Sequence, residues 1–285
     1  MDRRIIALYD EYTHAPLDRR IFMERLVKLA GGTAAAFALL PLLENNYAHA
    51  EMVPANDPSL TSERVSFPGA GGELKGYLVH PKASGKRGNV IVIHENRGLN
   101  AHIEDVARRA AKAGFNAFAV DLLSPLGGTP SNEDQARDMI GKLDAKQVTE
   151  NLRAAVAWLA KRPDSNGKVG AVGFCWGGGA VNDLAVAEPN LGAGVVFYGR
   201  SPTAEQAANI KAPMLLNYAG LDTRINESVP GYKEALEKAG KKATLHIYDG
   251  VDHAFHNDTN AARYNKAAAD LAWGRTIEFF KLNIS

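Results

Sequence analysis

Seven residues, Gly173-Phe174-Cys175-Trp176-Gly177-Gly178-Gly179, constrain the fold of this chain more than any other stretch. They follow a short apolar run, Val169-Gly170-Ala171-Val172, and precede a small-residue segment from Ala180 to Ala187. The pattern predicts a strand, a sharp turn and a helix. Its spacing is that of the G-x-nucleophile-x-G elbow, with cysteine where serine usually stands. Side chains at Gly173 and Gly177 would collide with the neighbouring strand and helix, so the glycines allow a turn that leaves Cys175 pointing out at the top of a sheet. The N–H of Trp176, first in the helix, then faces any negative charge that forms there. A lone cysteine is more often a small buried hydrophobe, but that reading leaves the glycines and the strand–turn–helix context unexplained.

A cysteine nucleophile needs a base and an orienting acid, and both are found downstream. Pro213 to Gly220 reads as a buried strand followed by Leu221-Asp222-Thr223. Ala243 to Tyr248 is the next strand and runs into Asp249-Gly250-Val251-Asp252-His253-Ala254-Phe255. Catalytic groups in open α/β sheets collect at the carboxyl ends of strands. Cys175, Asp222 and His253 each lie just after a different strand, in the order nucleophile, acid, histidine. His253 is expected to move the thiol proton and Asp222 to fix its tautomer. Asp252 reads as a turn residue and His246 as a strand residue. His256 lacks a second acid, and Asp121 precedes the nucleophile.

The strand Asn89 to His94 ends in Glu95-Asn96-Arg97-Gly98. The loop after such a strand supplies the second oxyanion N–H, here that of Asn96. Glu95 is unusual there, because a carboxylate repels developing negative charge. The plainer reading is an ion pair with Arg97.

With these residues in order, the chain resembles the dienelactone hydrolase family of the α/β-hydrolase superfamily. The likeness rests on Glu95, the Gly-Phe-Cys-Trp-Gly-Gly elbow, the Gly-Leu-Asp loop at Asp222 and Asp-His-Ala-Phe at His253, and it covers about Ser62 to Ser285. It implies a mostly parallel central sheet of about eight strands flanked by helices, and cofactor-free, metal-free hydrolysis of a small lactone or ester through a thioester. It also implies that Glu95 contacts the resting thiol and helps it become thiolate when substrate binds. The family's arginine clamp for a substrate carboxylate falls on Asn257 and on the loop Leu122 to Pro130, which has no arginine. Arg97 and Arg200 are the candidate replacements, and Tyr198, Phe255 and Asn257 complete the expected substrate-binding set. A thioesterase, a peptidase, a phosphotriesterase or a binding protein that kept the fold are the alternatives on the same residues.

The net charge of +1 offers no basic stripe for nucleic acid. A single cysteine allows no internal disulfide, and the eight histidines fall into no metal-binding spacing. Strands and helices alternate from Arg64 onward. The amphipathic run Gln147 to Lys161, a helix from Ser131 to Leu143 over the site edge, and a C-terminal helix from Ala261 to Leu282 are expected. Residues 62–285 form the catalytic domain and 51–61 a linker. Residues 1–50 read as a separate twin-arginine export segment, with Arg19-Arg20, an apolar run from Leu26 to Leu43 and the Ala48-His49-Ala50 cleavage pattern. The segment is interrupted by Lys28, Gly31, Gly32 and Pro41, so no stable membrane span is expected in the mature form. The alternative is a cytoplasmic protein with an uncleaved segment packed on the domain. Nothing in the sequence indicates an oligomeric state.

Overall fold

The computed structural model describes residues 1–15, 17–47 and 51–285. Three helices come first: α1 (Arg3–His14), α2 (Arg19–Ala30) and α3 (Thr33–Leu43). Eight strands follow: β1 (Leu60–Gly69), β2 (Gly72–Pro81), β3 (Arg87–Ile93), β4 (Asn116–Asp121), β5 (Ser165–Phe174), β6 (Ala193–Phe197), β7 (Met214–Ala219) and β8 (Ala243–Tyr248). The helices between and after them are α4 (Ala101–Lys112), α5 (Glu133–Ile140), α6 (Ala145–Ala160), α7 (Trp176–Ala187), α8 (Ala204–Ala207), α9 (Thr223–Asn226), α10 (Val229–Lys238) and α11 (Lys266–Ile284).

The strands form one sheet in the order β1-β2-β4-β3-β5-β6-β7-β8. β2 pairs antiparallel with β1 and β4, and every other pair is parallel. The inner parallel strands are covered on both faces, which is why β3, β6 and β7 are largely apolar, whereas the edge strand β8 is half-exposed and alternates with polar residues. Val90 and Val92 of β3 join Val172 and Phe174 of β5 in a core under α4 and α11. Ile91 and Ile93 point the other way, with Val169 and Ala171, into a core under α6, α7 and α10.

Two expected boundaries shift. The C-terminal helix begins at Lys266, capped by Asn265, whose side chain accepts from the Ala268 N–H. The residues before it are used elsewhere: the Ala262 N–H donates to Leu42 O at 3.1 Å. The expected linker is docked, because the amides of Met52 and Val53 donate to the buried carboxylate of Asp105. Its end belongs to β1.

The segment read as separate from the catalytic domain is packed on it. Ile5, Tyr9, Tyr12, Phe22, Leu26 and Leu43 form a core of their own. This core is tied down from the domain side by the Tyr12 hydroxyl donating to Asp134 at 2.7 Å and by Asn96 Nδ2 donating to Thr13 O at 2.6 Å. Arg19 bonds Glu44 and Asp134. No single helix among the described residues is long and apolar enough to cross a membrane; α2 and α3 meet at 113° around Gly31 and Gly32. The Ala48-His49-Ala50 pattern lies outside the described residues.

Candidate active site

The turn from β5 into α7 holds Cys175 at φ 54° and ψ −116°, backbone that an L residue rarely adopts. Packing enforces it. A Cβ on Gly173 would lie 2.1 Å from Gly177 O, and one on Gly177 would lie 2.4 Å from His94 O. The Cys175 N–H donates to Phe197 O at 3.0 Å and pins the turn to β6. Two other non-glycine residues with positive φ adjoin the site, Tyr198 at 40° and Ala254 at 65°.

Asp222 follows β7 and caps α9, with Oδ1 accepting from the Ile225 N–H. Its other oxygen lies 2.5 Å from His253 Nδ1. Both residues are buried. The contact leaves His253 Nε2 free of other hydrogen-bond partners among the described residues, with the Cys175 sulfur within 4.8 Å of it. The expected nucleophile, base and acid are therefore brought together.

A residue that the sequence reading did not consider completes the cluster. His14, the last residue of α1, places Nε2 at 3.1 Å from Cys175 Sγ. Its Nδ1 lies 2.9 Å from the Asp10 carbonyl oxygen and 3.1 Å from the Asp10 carboxylate. The two imidazoles meet edge to face, with ring centroids 4.5 Å apart. The available signal was the Asp10/His14 spacing of four, which stacks a carboxylate on an imidazole along a helix. It was hidden by the reading of the segment as an export signal.

The electrostatics follow from this cluster. Burial pushes the Cys175 thiol up, but the two imidazoles outweigh it and bring it down to about 6. Burial works against a charged His253, yet the sulfur and the Asp222 hydrogen bond raise it to about 10. His14 is likewise raised: burial works against its charged form, but the Cys175 sulfur and Asp10 together outweigh it. Both shifts favour a thiolate flanked by imidazolium over the neutral pair. The sulfur and the two imidazoles also form the one donor set among the described residues that could close on a metal ion. It joins residues 161 positions apart, so no sequence spacing reveals it.

Glu95 departs from both expectations. It is buried at the end of β3, but its partners are Asn257, whose Nδ2 donates to Oε2 at 2.7 Å, and the Tyr198 hydroxyl, 3.5 Å from Oε1. Neither the thiol nor Arg97 is among its polar contacts in the described residues. The orientation of Asn257 is fixed, since its Oδ1 accepts from the Thr259 N–H and hydroxyl, so its NH2 is what meets the carboxylate. The thiol contact expected of Glu95 is made by His14 instead.

The cavity above the sulfur has a volume of about 880 Å³ and is lined by Asn96, Cys175, Trp176, Tyr198, Arg200 and His253 among others. Trp176 opens α7, so its N–H is one that a helix start leaves without an intrahelical acceptor. The Asn96 side chain is spent on Thr13. Three expected substrate contacts lie elsewhere. Phe255 is fully buried between Phe197, Tyr198 and Tyr248. Asn257 is committed to Glu95. Arg97 is buried against Glu133 and Asp134 of α5 rather than in the main cavity. Arg200 does reach the cavity, paired with Asp183. Arg19, Arg137 and Arg224 also line it and were missed, because they come from the N-terminal segment, α5 and α9.

A sheet of this topology, with a nucleophile elbow after β5 and an acid–histidine pair after β7 and β8, defines an α/β-hydrolase. Comparison with known proteins narrows the class. The model of the dienelactone hydrolase family matches residues 74–283. A Salmonella typhi protein provisionally named carboxymethylenebutenolidase is 32% identical over 244 residues, covering 80% of this chain and 90% of its own. A Methylorubrum extorquens protein with the same provisional name is 30% identical over 274 residues, covering 91% and 93%. The crystal structure of a provisionally named dienelactone hydrolase from Klebsiella pneumoniae superposes with a TM-score of 0.71 at 28% identity, covering 78% of this chain and 98% of that one. The chain belongs to the dienelactone hydrolase family.

Proposed function

We propose that this chain hydrolyses carboxylic esters or lactones through a thioester on Cys175. The observation that carries the reading is the Cys175 sulfur at a strained elbow, with His253 beside it and Asp222 2.5 Å behind His253. The thiolate attacks the acyl carbon and a C–S bond forms. Negative charge moves to the carbonyl oxygen, where the N–H groups of Trp176 and Asn96 are the candidate donors. Collapse breaks the C–O bond, and His253 gives its proton to the departing oxygen. Neutral His253 then takes a proton from water, whose oxygen attacks the thioester and releases the sulfur. Asp222 keeps Nδ1 protonated and so directs Nε2 to this work. Cys175→Ala tests the reading: ester turnover should vanish with the fold intact, and turnover near wild type would contradict it.

The substrate class is read from the cavity wall. Asn257 does not reach it, and Arg19, Arg137, Arg200 and Arg224 are each paired with an acid of the chain. Neutral esters or lactones should therefore be turned over about as well as carboxylate-bearing ones. A kcat/KM preference of several orders for an acidic lactone would show that one of these arginines releases its partner on binding.

For the N-terminal segment we propose that it stays on the domain in the working protein rather than leaving as a cleaved twin-arginine signal. The supports are the bonds from Arg19 to Glu44 and Asp134 and the place of α1 over the cavity. The mass of the protein isolated from its host decides this. Loss of the residues ahead of Glu51 would contradict it.

A further inference from the structure

We propose that His14, backed by Asp10, is a second catalytic histidine, delivered to Cys175 by the N-terminal segment, which holds the sulfur as thiolate while His253 moves the proton. The proposal rests on the thioester reading above and adds a residue to it.

Three observations carry it. The first is contact: His14 Nε2 is 3.1 Å from Sγ, a hydrogen-bond distance for sulfur. The second is orientation. Nδ1 lies 2.9 Å from the Asp10 carbonyl oxygen and 3.0 Å from Thr13 Oγ1, whose own proton goes to that carbonyl. The Asp10 carboxylate is at 3.1 Å, in ion-pair range, so Nδ1 keeps its proton and Nε2 is the atom presented to the sulfur. Asp10 is itself held, with Arg224 at 3.6 Å and Arg263 at 3.7 Å. As with Asp222 and His253, an acid lies behind the imidazole, but here the hydrogen bond is taken by the Asp10 backbone carbonyl and the carboxylate acts by its charge. The third is placement. The residue just before His14 is fastened to the loop after β3 by Asn96 Nδ2, the same loop that offers an oxyanion donor. Glu95, from that loop, is turned to Asn257 and Tyr198, which leaves the sulfur to the two imidazoles.

Two imidazoles on one sulfur divide the labour. With His253 alone, the same imidazolium both stabilises the resting thiolate and gives its proton to the leaving oxygen. With two, His14 stays protonated throughout. The C–S bond forms as the thiolate adds, the C–O bond breaks, and the His253 proton goes to the leaving oxygen. Water then gives a proton to His253 and its hydroxide to the acyl carbon. The C–S bond breaks, and the sulfur returns as thiolate beside His14. Ester and water become alcohol and acid, and both histidines end as they began.

The test uses the full chain with His14→Ala, His14→Gln, Asp10→Asn and the control Cys175→Ala. Aryl-ester kcat/KM and the rate of Cys175 alkylation by iodoacetamide are measured at one neutral pH, with and without added imidazole, and with and without a chelator. The expected result for His14→Ala is a fall in kcat/KM of roughly a hundredfold, slower alkylation, and partial recovery of both on adding imidazole. Asp10→Asn should lose roughly tenfold with the same signature. Should His14→Ala fail to fold, His14→Gln and Asp10→Asn carry the same comparison. Wild-type turnover and alkylation in the folded His14 variants overturn the proposal. So does a loss that imidazole leaves untouched in a variant with wild-type thermal unfolding, which marks a structural role. Wild-type activity that disappears on chelation and returns with zinc overturns it in favour of a metal centre. Activity retained by Cys175→Ala would instead sink the thioester reading beneath it.

Discussion

Cys175 is an ordinary thiol placed in an unusual field. Its buried position alone would keep it protonated; the two histidines reverse this and bring it to about 6. A lowered thiol means that thiolate is present above that value, so iodoacetamide modification of the free enzyme should rise with a midpoint near pH 6 and then level off. A midpoint in the usual thiol range would show that the imidazoles do not charge the sulfur. Glu95 makes a second prediction at this scale. Its carboxylate is buried and takes its best hydrogen bond from Asn257, so Asn257→Ala should cost about 1–3 kcal/mol in urea unfolding. Unchanged stability would mean that the bond is incidental. Cys175, Asp222 and His253 were legible because each closes a strand that its own apolar pattern marks. The partner of Glu95 was not legible, because Asn257 lies 162 residues away and only the closed sheet brings the two together.

At the scale of elements, the strands and the elbow helix could be read from local pattern alone. The start of α11 could not, since Asn265 competes with earlier residues that the N-terminal helices had already engaged. The packing of the N-terminal helices on the domain was not legible, for a physical reason. A twin arginine followed by an alanine-rich run has the same composition whether it enters an export channel or folds back in a bent pair. The folded-back form rests on tertiary contact that composition does not reveal, such as the stacking of Tyr12 on Phe22 with centroids 4.4 Å apart. Phe22 is fully buried in the small core of this segment and is not itself among the proposed catalytic residues. Phe22→Ala should cost about 3–5 kcal/mol in the stability of this segment. It should also expose α1 to proteolysis and lower ester turnover, because His14 loses its support. Turnover unaffected by a loosened α1 would separate the segment from the chemistry.

Across the whole molecule, one sheet edge gathers groups from five parts of the chain: the loop after β3, the elbow after β5, the turn after β7, the turn after β8, and the end of α1. The first four follow from the α/β-hydrolase topology, which the alternation of strands and helices announced. The fifth is an addition to that topology, made by a segment that contributes its own small core and a wall of the cavity. If the folded chain is exported on its arginine pair, the residues ahead of Glu51 have to travel with it for the site to keep His14. The account stands or falls on the bond formed at Cys175. Intact-protein mass spectrometry during turnover of a slow ester, followed by peptide mapping, measures it directly. The account predicts a transient acyl mass on Cys175, absent from Cys175→Ala and lost at the rate of product release. Continued turnover with no adduct on Cys175, or with the acyl group on another residue, would contradict it.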